Sequence, residues 1–87
     1  MQPIDLEQEK KDILNKYKSL LRACADKINK EDKKEIRKAL DLAVEAHKNM
    51  RRKSGEPYIY HPIAVAHIAA KEIGLGSTSI ICALLHD

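Results

Sequence analysis

The spacing of the apolar residues constrains the fold of this sequence more than any other feature, because they recur at steps of three and four along the first half of the chain. Such spacing lines them up on one face of an amphipathic α-helix. The 87 residues include three Gly and three Pro, which is too few for the many turns of an all-β domain. The sequence therefore predicts an all-α helical bundle. The first apolar stripe consists of Leu6, Ile13, Leu14, Tyr17, Leu20, Leu21, Cys24 and Ile28.

Capping residues divide the chain into segments. Asp5 is expected to cap the first helix, with Gln8 completing a capping box, and Asn29 breaks the pattern before the second helix. Gly55 and Pro57 are expected to end that second helix. The predicted helices span residues 5–28, 30–53, 62–73 and 78–87.

The third and fourth predicted helices are the most apolar part of the chain. Pro62 suits the first position of helix three, with His61 at or beside its N-cap. This helix is apolar almost all round, so we expect other helices to surround it. The fourth helix stops at His86 and Asp87 with no glycine, basic turn or polar tail, so we expect a fragment of a larger domain. Helices three and four are then either covered by a second copy of the chain, in a homo-oligomer, or partly exposed.

Composition excludes several classes of protein. The chain is 33% charged and has no apolar run near the roughly 18 residues of a membrane-spanning helix. Its first five residues lack the layout of a secretion signal, so we expect a cytoplasmic protein with no membrane partner. The net charge of +3 is too small to require nucleic acid. Cys24 and Cys82 show no metal or redox spacing and are expected to be reduced thiols that pack like small hydrophobic side chains.

Three residues are candidate metal ligands. His86 and Asp87 stand side by side at the end of an apolar helix, and imidazole and carboxylate together suit zinc, manganese or iron. His61 is a suitable third ligand, since it lies at a helix start where its backbone is fixed. The alternative is that His86 and Asp87 form a surface pair and that His61 only caps its helix. His47, on the apolar stripe of helix two, is interpreted as a core histidine.

The loop before His61 is rich in cations. Residues 51–54 read Arg-Arg-Lys-Ser, and Tyr58 follows shortly after. These cations can pair with phosphate oxygens, and Arg or Tyr can stack on a base. The alternative is that the basic residues only complement the helix dipole, while Tyr58 and Tyr60 cover the core.

Three segments together resemble the N-terminal hydrolase domain of the RelA/SpoT family, the bacterial (p)ppGpp synthetases and hydrolases. They are residues 43–47 (AVEAH), 52–62 (RKSGEPYIYHP) and 83–87 (ALLHD), and the middle string is the most specific. The resemblance covers roughly residues 36–87. It implies an all-helical HD-type phosphohydrolase fold, of which this chain is the N-terminal part.

The resemblance also implies roles for particular residues. His61, His86 and Asp87 match the metal ligands, with manganese as the expected ion. Arg52, Lys53, Ser54 and Tyr58 match the residues that hold the guanosine nucleotide. The resemblance further implies that a water polarised by the metal attacks the 3′-pyrophosphate of (p)ppGpp and releases it as pyrophosphate. A bound divalent ion lowers the pKa of such a water and neutralises charge on the phosphoryl oxygens.

In this family the acidic pair that helps position the water, the last metal-binding aspartate and the synthetase domain lie beyond the position of Asp87. We therefore expect the fragment alone to be inactive, although its parent is expected to be bifunctional. Ribosome or nucleic-acid contacts are expected only through those absent parts.

Two other functions are compatible with the same residues. The first is a different HD-type nucleotide phosphohydrolase, which keeps the metal site and changes the substrate. The second is a non-catalytic helical module that binds RNA or another partner through the basic loop.

Overall fold

A computed structural model describes residues 5–73 and 76–85, which form four α-helices. A 3₁₀ turn, Ala25–Lys27, follows the first helix, and a π-helical turn, Ala69–Ile73, continues the third. The prediction of an all-α fold is confirmed. The helices are α1 (Leu6–Ala23), α2 (Lys30–His47), α3 (Tyr60–Ile68) and α4 (Ser77–Leu85).

Side-chain caps fix where α1 and α2 begin. The Asp5 carboxylate accepts a hydrogen bond from the Gln8 backbone N–H at 3.0 Å, as predicted. The Gln8 side chain, however, donates to Asp12 one turn further on, so the predicted capping box does not form there. A complete capping box forms instead at α2, where Asn29 and Asp32 each accept from the other's backbone N–H.

Both long helices end earlier than predicted. At the end of α1, the Cys24 N–H bonds to the Leu21 carbonyl three residues back, which tightens the chain into the 3₁₀ turn instead of extending α1 to residue 28. Helix α2 ends at His47 rather than at residue 53, because the backbone beyond it pairs with itself in a hairpin. Gly55 is therefore a turn residue of that hairpin and does not cap α2.

The start of α3 also differs from the prediction. The helix begins at Tyr60, so His61 and Pro62 lie in its first turn and Ile59 takes the capping position. A proline is tolerated there because the first N–H groups of a helix have no partner within the helix. Helix α4 begins one residue before the predicted position, and its predicted last two residues lie outside the described part of the chain.

One apolar core joins the four helices. Helix α3 packs against α1 and α4, and α4 packs against α2. A hydrogen bond from the Ser77 hydroxyl to the Asp32 carboxylate, at 3.2 Å, links the first turns of α4 and α2. The largest fully buried side chains are Leu20, Cys24, Ile36, Leu40, Ile63, Ile80 and Leu84.

Part of the surface of α3 and α4 is apolar and exposed. Val65, Ile68 and Leu85 are 39%, 56% and 46% exposed. Helix α3 therefore has α1 and α4 as neighbours but is not fully covered by them, which agrees with the alternative expectation that helices three and four are partly exposed. Cys24 is buried as expected, but Cys82 is exposed, so the prediction that both thiols pack in the core is wrong for Cys82. Within residues 5–73 and 76–85, no helix is long and apolar enough to cross a membrane.

Candidate functional site

A short hairpin connects α2 to α3 and carries most of the predicted site residues. Arg51 and Pro57 face each other as an antiparallel bridge, and the Arg52 N–H donates to the Glu56 carbonyl at 2.9 Å. Gly55, at the turn, has a φ of 95°. Glycine suits this position because a side chain would strain the left-handed backbone. The hairpin thus presents Arg52, Lys53 and Ser54 next to α3.

An ion pair fixes the hairpin to α1. The Arg51 guanidinium donates to both carboxylate oxygens of Glu9, at 2.7 and 2.8 Å, and also to the Gly55 carbonyl at 2.7 Å. The two side chains are only 28% and 20% exposed. The hydrogen bond from Arg51 is the main reason that the pKa of Glu9 lies below its usual range. Arg51 therefore holds the loop in place, while its neighbours Arg52 and Lys53 extend into solvent.

Three rings form a row from the core to the surface. His47 is buried, and its Nδ1 lies 2.8 Å from the Ala43 carbonyl, which confirms its interpretation as a core histidine. The Tyr58 ring lies 5.0 Å from the His47 ring and 6.1 Å from the His61 ring, measured between centroids. The backbone of Tyr58 is fixed as well, since its N–H donates to the Met50 carbonyl at 2.9 Å. Tyr58 thus has a supported position beside the exposed imidazole of His61.

An open cavity of about 680 Å³ lies between the hairpin and the start of α3. It brings His61 together with all four of the residues predicted to bind substrate. Met50 was not predicted as a site residue, and Arg51 was predicted only as one of the loop cations. The residues that line it are Met50, Arg51, Arg52, Lys53, Ser54, Tyr58 and His61.

The cavity is basic with one acid at its rim. Glu56 lies 3.7 Å from the Arg52 guanidinium and accepts a hydrogen bond from the Ser54 hydroxyl at 3.2 Å. Both contacts are largely exposed, so they are weak. An incoming phosphate can replace the Glu56 carboxylate as the partner of Arg52 and Ser54.

The predicted metal ligands are only partly within the described chain. His61 offers an exposed imidazole nitrogen, a donor that fits zinc, manganese or iron. Among residues 5–73 and 76–85, no three His, Cys, Asp or Glu side chains lie close enough together to hold a metal. The other two predicted ligands, His86 and Asp87, lie outside the described residues. They follow Leu85 directly in the sequence, and the helix that Leu85 ends, α4, packs against the helix that carries His61.

Sequence reasoning missed Glu9 as part of this site. Its partner Arg51 is 42 positions away, and neither residue belongs to a local pattern that indicates the pair. A bidentate contact between distant residues becomes visible only after the helices are packed.

Comparisons with known proteins agree with this architecture. The profile of the HD domain family matches residues 39–87. The bifunctional (p)ppGpp synthase/hydrolase RelA of Mycobacterium tuberculosis is 46% identical over 52 residues, which cover 60% of this chain and 7% of that protein. The guanosine-3′,5′-bis(diphosphate) 3′-pyrophosphohydrolase of Aquifex aeolicus is 49% identical over 53 residues, 61% of this chain and 8% of that protein. A GTP pyrophosphokinase of Streptomyces antibioticus is 39% identical over 75 residues, 86% of this chain and 9% of that protein.

The described residues form an all-helical fold with a histidine beside a basic cavity. The family match covers more than half of the chain and shows that the chain belongs to the HD domain family. HD domains are metal-dependent hydrolases. The resemblance to RelA/SpoT proteins is confirmed by the named relatives. The chain spans less than a tenth of the length of these curated relatives.

Proposed function

We propose that the protein containing this chain is a cytoplasmic bifunctional (p)ppGpp synthetase/hydrolase, and that these residues belong to its hydrolase domain. The single observation that carries the proposal is the cavity in which His61 adjoins Arg52, Lys53, Ser54 and Tyr58. The names of the relatives support the same substrate, since two of them name (p)ppGpp or guanosine bis(diphosphate). The chain is then the N-terminal part of a larger HD-type hydrolase domain.

The proposed metal ligands are His61, His86 and Asp87, and the proposed ion is Mn²⁺. Nitrogen and carboxylate donors suit a divalent first-row ion, and the exposed imidazole of His61 is available for such a contact. When bound, the ion supplies a water of lowered pKa and neutralises charge on phosphoryl oxygens. The donor set fits the metal class, while the choice of manganese rests on the family resemblance.

The cations of the hairpin then bind the diphosphate. Arg52 offers a planar fork of donors that matches two phosphate oxygens, and Lys53 adds a compact charge. Ser54 contributes a hydroxyl that can turn from Glu56 toward the ligand. The Tyr58 ring, supported from behind by His47, offers a face on which the guanine base can stack.

Overall, one water is consumed as ppGpp is converted to GDP and pyrophosphate. The residues described here hold the phosphates and one ligand position of the metal. The acidic groups that orient the water in such domains are proposed to lie outside these 87 residues, so the chain alone is proposed to be inactive. A homo-oligomer that covers the exposed apolar side chains of α3 and α4 is part of the same proposal, supported by Val65 and Ile68.

The experiment follows release of labelled pyrophosphate from ppGpp by the full-length protein, with Mn²⁺ and after its removal by a chelator. We expect release that requires the metal. Arg52→Ala is expected to raise KM about tenfold with a smaller change in kcat, because it removes a charge-assisted contact to a ground-state phosphate. Lys34→Ala, which removes an exposed cation from α2, is the matched control and is expected to leave both constants unchanged.

The two alternatives give different results in the same assay. A different HD-type phosphohydrolase releases no pyrophosphate from ppGpp but hydrolyses another nucleotide in the presence of metal. A helical RNA-binding module shows no metal-dependent hydrolysis, and its RNA binding is unchanged by His86→Ala.

A further inference from the structure

A second basic groove runs between α1 and α3, on a different face of α3 from the His61 cavity. It consists of two cavities of about 300 and 340 Å³ that share Ser19 and His67 as lining residues. The lining side chains of both helices recur at steps of three and four, so each helix contributes one continuous stripe to the groove. The stripe of α3 runs through Ala64 and His67 and ends at Lys71 in the π-helical turn.

Cations line this groove without a carboxylate among the described lining residues. Lys16 lies at one end, with its Nζ 4.8 Å from the centre of the Tyr60 ring. Arg22 and Lys71 lie at the other end, and one Arg22 nitrogen donates to the Ser19 hydroxyl at 3.0 Å. A guanidinium has five N–H donors, so Arg22 has several left for a ligand. Asp12, one helical turn before Lys16, accepts a hydrogen bond from the Tyr60 hydroxyl at 3.3 Å, at the end of the groove away from Arg22.

The two ends of the groove differ in chemistry. Near Lys16 the wall is formed by Tyr60, Ile63 and Ala64, which offer an aromatic ring and apolar surface. At the other end, His67, Lys71 and Arg22 offer nitrogen donors and positive charge. An apolar wall next to a cationic cluster suits a ligand with a planar or apolar part and a chain of phosphates.

We propose that the α1–α3 groove is a second ligand site, which binds the polyphosphate of a nucleotide through Arg22 and Lys71. Tyr60 and Ala64 then contact its nucleoside. Binding here needs neither a metal nor the reaction at the His61 cavity. A free polyphosphate and a nucleotide both present phosphate groups to these cations. Measuring the binding of inorganic pyrophosphate and of GTP separately distinguishes the two kinds of ligand.

The experiment measures binding of inorganic pyrophosphate, GTP and guanosine to the isotope-labelled protein by NMR, in metal-free buffer at low salt. We expect pyrophosphate and GTP to shift the amide signals of Ser19, His67 and Lys71. GTP is expected also to shift those of Tyr60 and Ala64, which a free polyphosphate does not reach. Guanosine alone is expected to bind at least tenfold more weakly than GTP, because charge supplies most of the attraction.

Matched variants assign the binding to the groove. Arg22→Ala with Lys71→Ala is expected to weaken GTP binding at the groove signals at least tenfold. Lys30→Ala with Lys34→Ala removes two exposed cations from α2, which contributes no residue to the groove, and is expected to change GTP binding less than about threefold. The double variant Arg52→Ala with Lys53→Ala is expected to keep the GTP-induced shifts of the groove signals. The exchanged residues of all three variants are exposed, so their folds are expected to be retained.

Three results would overturn the assignment. One is the absence of any shift at the groove with GTP at millimolar concentration. Another is an equal loss in the Lys30/Lys34 control, which would mean that general charge attraction explains the binding. The third is loss of the groove shifts in the Arg52/Lys53 variant but not in the Arg22/Lys71 variant, which would assign all binding to the His61 cavity.

Discussion

Arg51 and Glu9, 42 positions apart in the sequence, are joined by two hydrogen bonds of 2.8 and 2.7 Å between guanidinium and carboxylate. This contact anchors the hairpin that bears Arg52 and Lys53 to the first turn of α1. Helix α1 therefore belongs to the site as a support, although it contributes no residue to the basic cavity beside His61.

Glu9→Gln is expected to loosen that hairpin. The glutamine side chain has the same size but lacks the negative charge that accepts both hydrogen bonds from Arg51. The backbone N–H of Arg52 in the hairpin is therefore expected to exchange its hydrogen faster. Thermal unfolding is expected a few degrees lower at neutral pH. Glu45→Gln, which removes an exposed partner of Lys48, is the control and is expected to change little.

The same pair predicts a pH dependence. Because the folded pKa of Glu9 is lowered from 4.5, its contribution to stability is present above that value and is lost as the pH falls through the lowered folded pKa. Unfolding by denaturant at a series of acidic pH values measures this. The stability difference between wild type and Glu9→Gln is expected to shrink as the carboxyl group is protonated. A difference that stays constant down to pH 2 would contradict the assignment.

Tyr60 predicts a second, alkaline transition. Burial, together with the charge and hydrogen bond of Asp12, raises the pKa of its phenol from 10.0 to about 12. The folded state therefore keeps a proton that the unfolded state loses above about pH 10. The contribution of Tyr60 to the free energy of unfolding is expected to be fully present below that pH and to fall as the pH rises toward 12. Tyr60→Phe is expected to flatten this part of the curve of unfolding free energy against pH. Circular dichroism measures the unfolding, and phenolate absorbance measures the ionisation. A slope that is the same in the variant and the wild type would contradict the prediction.

Leu20 and Leu42 offer a matched test of the core. Leu20 is fully buried, whereas Leu42 is 63% exposed on the outer face of α2. Leu20→Ala is expected to cost about 2–5 kcal/mol of unfolding free energy, because it leaves a cavity between packed helices. Leu42→Ala is expected to cost less than about 0.5 kcal/mol. Denaturant titration compares the two, and equal costs would mean that the helices do not pack as described.

His47 is expected to support the ligand cavity through Tyr58. His47→Phe keeps an aromatic ring in the core but loses the contact of Nδ1 with the Ala43 carbonyl, at a cost of about 1 kcal/mol. The more specific expectation is weaker nucleotide binding, since the Phe ring lacks the hydrogen bond that fixes the ring beside Tyr58. Fluorescence or calorimetric titration with a guanosine nucleotide measures this. If affinity is unchanged while stability falls, His47 has only a core role.

The sequence predicted the helical fold well, because helix formation by α1 and α2 depends on local spacing and caps. Asn29 and the apolar stripes identify these helices without reference to the rest of the chain. The end of α2 was predicted six residues too late, because the hairpin depends on backbone pairing between Met50 and Tyr58 that no local pattern reveals. Exposure of Ile68 likewise depends on which helices pack beside α3.

The site was predictable in part for a similar reason. Arg52, Lys53, Ser54, Tyr58 and His61 are close in sequence, so one loop and one helix start bring them into the same cavity. Glu9 and the supporting role of His47 come from tertiary packing. The assignments of His61, His86 and Asp87 as metal ligands stay predictions.

The most direct test of the central claim is metal-dependent hydrolysis of ppGpp by the full-length protein and its His61→Ala variant. With Mn²⁺ present, the wild type is expected to release pyrophosphate, and His61→Ala is expected to lose metal affinity and at least about 99% of that rate. Lys34→Ala is expected to behave as wild type. If His61→Ala binds Mn²⁺ and hydrolyses ppGpp as well as the wild type does, His61 is not a metal ligand, and the account of this site as an HD-type hydrolase centre is contradicted.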